Sequence, residues 1–234
     1  MSQEGSESVA DLYDILDVRD AEARFGVSEH VDYPFQEYGD EQETRHYAGG
    51  LRIDGDLTSD TDEDDFCLAN VIVDGDLVVD GNLEWIDEGS GSFLLVTGDL
   101  RARNLILRGN PSVVVLGDLS VEGTLLGHLG DDGGYLTVLG GTRAEIVLLL
   151  NDFRLRACER PRAVLAGAPG LFPHPVDISD RGVDTDGEDM LGELLLPELV
   201  DEGQGVDNRK VEAAVRSGRP LFREDTDRAG PPRR

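Results

Sequence analysis

The sequence predicts an all-β chain built on a parallel β-helix of about five coils. Two observations lead there: like residues recur at like offsets, and the recurring positions alternate in polarity. With the glycines at 55, 75, 98, 117 and 140 as origins, the intervals are 20, 23, 19 and 23 residues. Four positions before each glycine stands Leu51, Val71, Leu94, Val113 or Leu136, and two before stands Ile53, Val73, Val96, Val115 or Val138. Two after stands Leu57, Leu77, Leu100, Leu119 or Thr142, and four after stands Ser59, Val79, Ala102, Val121 or Ala144. Eight after, from the second copy on, stands Leu83, Ile106, Leu125 or Leu148.

Strand side chains alternate faces, so these columns share one inward face. The column five after each glycine holds Asp60, Asp80, Arg103, Glu122 and Glu145 and faces water. Gly55, Gly75, Gly98, Gly117 and Gly140 are assigned to the corners. One such unit cannot bury its apolar side alone, whereas stacked copies can. Stacking at about 4.8 Å per coil gives a stem roughly 20 Å long. The unequal coil lengths favour a right-handed helix.

Three regions follow: an acidic N-terminal cap over 1–48, the solenoid over 49–158, and a loop and helix segment over 159–234. The first region sets 13 acids against Arg19, Arg24 and Arg45 and gathers Tyr33, Phe35, Tyr38 and Tyr47 before the first coil. Val9, Leu12, Leu16 and Val18 offer a short helical stripe. An exposed solenoid end needs a cap, which is the role expected of this region. Asn151 to Leu155 reads as a degenerate last coil, and Pro161, Pro173 and Pro175 as breaks in the strand pattern. Further on, Asp207 can cap a helix reaching about Ser217, with Val211, Ala214 and Val215 as its apolar edge. The tail from Asp225 is expected to be disordered.

The net charge of −28, from 49 acids and 21 bases, argues against nucleic acid and anionic membrane as partners. It favours a basic protein. The two cysteines, Cys67 and Cys158, lack metal-ligand spacing, and no signal peptide or apolar span is seen. A cytoplasmic location is the expectation. No cofactor or metal is expected: Asp60, Asp62 and Asp64 begin like a calcium loop, but Asp65 stands where that loop needs Gly. His128, read as a loop residue, has no legible partner for general-base work, so no catalytic residue is assigned. The partner-binding candidates are the inserts carrying Asp60, Asp62, Glu63, Asp64 and Asp65, then Trp85, Asp87 and Glu88.

The Gly-Asp-Leu cores at Gly75–Leu77, Gly98–Leu100 and Gly117–Leu119 resemble those of bactofilins, bacterial β-helix proteins that form polymers. They look still more like a set of bactofilin-like β-helix proteins, some of which occur beside polymorphic toxins as candidate immunity proteins. The resemblance covers roughly Leu51 to Leu155. It implies a non-enzymatic bacterial protein that acts by protein contact. Bactofilins have short disordered tails, whereas both flanks here look folded. A binding or immunity-like role is therefore expected first, self-association into a structural polymer second, and a hexapeptide acyltransferase-like enzyme third.

Overall fold

The computed structural model describes residues 13–32, 34–59, 69–87, 91–129, 134–167, 191–192, 194–201 and 205–223. It is mostly β, and its parallel strands stack into a solenoid of about five turns. Each turn contributes one strand to each of three faces. The first face stacks β2 (Thr44–Ala48), β5 (Asn70–Asp74), β8 (Phe93–Val96), β11 (Ser112–Val115), β14 (Tyr135–Val138) and β16 (Arg154–Ala157). The second stacks β3 (Leu51–Ile53), β6 (Leu77–Val79), β9 (Leu100–Ala102), β12 (Leu119–Val121) and the start of β15 (Thr142–Leu149). The third stacks β4 (Leu57–Thr58), β7 (Asn82–Asp87), β10 (Asn104–Gly109), β13 (Thr124–His128), the end of β15, and β17 (Arg162–Ala166).

The register bears out the inward columns of the second to fifth coils and shifts those of the first. Leu51 pairs with Leu77 and Tyr47 with Val73, so the first coil originates at Gly49 rather than Gly55. Leu57 pairs with Leu83, and Gly55 lies at the next corner, where Gly81 stacks on it. The solenoid therefore begins at Thr44, inside the region expected to be only a cap. It continues past Pro161, because β17 pairs with β15.

One column is also corrected. Leu83, Leu105, Leu125 and Val147 share the interior row, while Ile106 and Leu148 point out of the third face. A constant offset of eight holds only where this corner keeps its length. The corner between the second and third faces is one residue shorter after Gly98 and Gly140, which moves the inward residue by one.

Among the glycines expected at corners, Gly55 and Gly75 have positive φ, at 115° and 133°. Gly98, Gly117 and Gly140 are held for a different reason. Their backbones stack so closely that a Cβ on Gly117 would lie 2.6 Å from the Gly98 carbonyl oxygen. Asp76, Asp99 and Asp118 complete this corner, each side chain accepting a hydrogen bond from the next coil's backbone N–H at 2.8–2.9 Å.

The flanks clad the sides of the stem. Helices α1 (Val18–Phe25), α2 (Val27–His30) and α3 (Phe35–Tyr38) put Ala21, Val27, Val31 and Phe35 against the outward Ile72, Phe93, Leu95 and Val114 of the first face. Those strands are buried on both sides, which explains runs such as Phe93–Val96 with no polar alternation. The expected stripe through Leu16 is instead strand β1 (Asp14–Leu16), antiparallel to β2, and the helix starts at Val18 behind the capping Asp17. Val9 and Leu12 lie outside the described residues. On the third face, helix α4 (Asn208–Arg216) and the chain around Leu191, Leu195, Leu199 and Leu221 cover Ile106, Leu126 and Leu148. Asp207 caps α4 as expected, accepting from the Lys210 N–H at 3.2 Å. Among the described residues, no helix is long and apolar enough to cross a membrane.

Candidate binding surface

Among the described residues, flanking segments cover the first and third faces and none covers the second. The strands of this face are short, and each turns one central side chain outward. Down the stack these are Arg52, Val78, Arg101, Ser120, Arg143 and, opposite Arg143 on the sixth rung, Arg162. Two borders frame the column. One is the aspartate ladder of Asp76, Asp99 and Asp118; the other carries Asp54, Asp80, Glu122 and Glu145. The upper arginines are paired locally. Arg52 contacts Asp80 and Asp54, Arg101 lies 3.5 Å from Asp99, and Arg103 donates to the Asp80 carbonyl at 2.9 Å.

The sites expected from the sequence fall elsewhere. Asp60, Asp62, Glu63, Asp64, Asp65 and Glu88 lie outside the described residues. Trp85 is no surface contact: it is 1% exposed and lies in the core row beside Leu107. Asp87 is also buried, and it accepts from the Ser92 N–H at 2.7 Å and hydroxyl at 2.8 Å. Cys158 is free and exposed; Cys67 lies outside the described residues.

His128 is the largest departure. It is 1% exposed, on the outward side of β13 beneath α4, with Nε2 2.8 Å from the Glu212 carboxylate. Arg108 approaches the same carboxylate at 3.7 Å and Arg216 at 2.8 Å, and Arg216 also forms a two-pronged contact with Glu84 at 2.7 Å on each side. Asn104 and Asn82 donate to the carbonyls of Val215 and Arg216 at the end of α4, and Asn208 bonds Asn151 at its start. A nine-residue helix rises about 13 Å, close to three rung spacings of about 4.8 Å, so both ends meet a corner of the stem. This network fastens the C-terminal segment. One sign of it is local in sequence: Glu212 sits four residues before Arg216. Nothing local links Glu212 to His128.

The fastening has a pH signature. Burial pushes the Glu212 carboxyl up, but His128, Arg216 and Arg108 outweigh it and hold it below the usual carboxylate range. A depressed folded value stabilises above the ordinary carboxylate pKa, and that contribution is lost as pH falls through the folded value. Melting of wild type and Glu212→Gln should therefore differ most near neutral pH. The difference should shrink below about pH 4.5, as the carboxylate protonates. A gap that is constant down to strong acid would assign Glu212 a packing role alone.

Fold and surface together define the class: a parallel β-solenoid clad on two of three faces. In comparisons with protein-family models, curated proteins and solved structures, nothing matches the chain.

Proposed function

We propose that the protein is a non-enzymatic binding module, immunity-like in character, whose acidic surface engages a basic protein. One observation carries this reading: among the described residues, flanking segments cover the first and third faces and leave the second open along the stem. The bare face offers a rigid, regular platform with acidic borders. The net charge of −28 would steer a basic partner toward it. The bactofilin-like motifs support a place among bacterial β-solenoid proteins, and the two-cysteine composition supports a cytoplasmic setting. Polymerisation by continuing the stack is the weaker reading. Strand β1 runs antiparallel along β2 and occupies the first-face edge that a stacked copy would need.

The test uses a partner isolated by pull-down. Glu122→Gln with Glu145→Gln should slow association, and the slowing should fade as salt shortens the Debye length from about 10 Å. Thermal stability should hardly change, because both side chains are exposed. An unchanged rate at low salt would remove this border from the contact. The same comparison with Asp60, Asp62, Glu63, Asp64 and Asp65 changed to Asn or Gln tests the insert proposed to assist it.

A further inference from the structure

The lower end of the bare face departs from the acidity of the rest. Arg143 and Arg162 stand directly opposite each other on adjacent rungs, both exposed. Among the described residues neither makes an ion pair with an acid, although Arg52 and Arg101 higher in the same column each do. Like charges placed opposite each other across neighbouring strands are destabilising. In a chain with 49 acids, a pair left uncompensated has no structural rationale. Both line a groove over the last coils, together with Arg160, Ser120 and Cys158, and with Asp118 and Glu159 as its acidic members.

We infer that this groove docks a carboxylate-rich segment of a protein partner. The guanidinium fork matches carboxylate geometry with two parallel hydrogen bonds, and 20 of the chain's 21 bases are arginine. Arg162 and Arg143 stand about 4.8 Å apart in a line that Ser120 continues, while Arg101 lies outside the groove. A line open at its sides fits a chain of carboxylates. Long-range repulsion from the −28 charge opposes any acidic ligand, so affinity has to come from these local contacts. The groove shares Asp118 with one acidic border but not Glu122 or Glu145, the acids tested for a basic partner, so either reading can fail without the other.

The experiment measures binding of a fluorescein-labelled oligoglutamate peptide to the full chain by anisotropy. Wild type should bind, and Arg143→Gln with Arg162→Gln should weaken binding about tenfold or more through lost charge-assisted hydrogen bonds. Arg101→Gln should leave binding within about twofold, because that arginine is already engaged by Asp99. The double variant should melt no lower than wild type, since it relieves a like-charge pair. The proposal is overturned if wild type does not bind, or if Arg101→Gln weakens binding equally. It is also overturned if inorganic phosphate at matched concentration displaces the peptide, which marks a small-anion site. Self-association abolished by the double variant would assign the groove to a second copy, and a lowered melting temperature would make the arginines structural.

Discussion

Val115→Asp is expected to cost more than about 4 kcal/mol, enough to remove most of the stability of an ordinary domain. Val115 is fully buried, in the interior row between Val96 and Val138, in the middle of the stack. A carboxylate there meets only apolar side chains of the rungs above and below, so it stays unpaired or is forced to protonate. Each kcal/mol moves the midpoint of a domain of this size by about 2–4 °C, so the melting temperature should fall by roughly 10 °C or more. Calorimetry of the purified variant checks this. A midpoint within a few degrees of wild type would mean that the row is misplaced.

Removing the chain after Gly167 is the second large perturbation. It keeps every rung through β17 but strips the cover from the third face, exposing Ile106, Leu126, Leu148 and Leu150. At about 1.5–3 kcal/mol for each fully buried side chain, the loss is comparable with the total stability of a domain. It also leaves His128 and Arg108 without the Glu212 carboxylate. The truncated protein should aggregate or fail to fold, while the full chain stays dispersed by light scattering. A soluble monomer with an unchanged midpoint would show that the segment is a separate module.

The fold was legible because strand alternation is local and the repeat multiplies it. Val71, Leu94, Val113 and Leu136 lie in one row, as their common offset implied. Legibility failed where the offset drifted. A corner shortened by one residue turns Ile106 outward, and in the first coil the equivalent of Gly75 is Gly49 rather than Gly55. The same outward residues carried a signal that could have been read. Ile72, Leu95 and Val114 on one face, and Ile106, Leu126 and Leu148 on another, are apolar columns pointing away from the interior. Something has to cover such columns, and the flanks are the chain available to do so.

The binding surface was harder to read, because it is defined by what the flanks leave uncovered. Trp85 suggested an exposed anchor when only its place after Gly81 was visible; the row it shares with Leu107 puts it inside. His128 looked solvated because its partner, Glu212, is 84 residues away in sequence. Val78, Arg101, Ser120 and Arg143 stand three after their glycines, and Arg52 joins them, in place of Thr58, once the first coil is counted from Gly49. The place of this column on the open face follows from which faces the described flanks clad.

Blocking the bare face tests its role as the contact surface most directly. Ser120 lies at the centre of that face, and tryptophan is tolerated on an outward strand position, so Ser120→Trp obstructs the platform without entering the core. Arg209→Trp places the same bulk on the exposed side of α4, over the clad third face. Binding of the isolated partner, measured by surface plasmon resonance at fixed salt, should be lost with Ser120→Trp and retained with Arg209→Trp, with both variants melting like wild type. Full binding by Ser120→Trp, or loss confined to Arg209→Trp, would contradict the assignment and move the contact to the cladding.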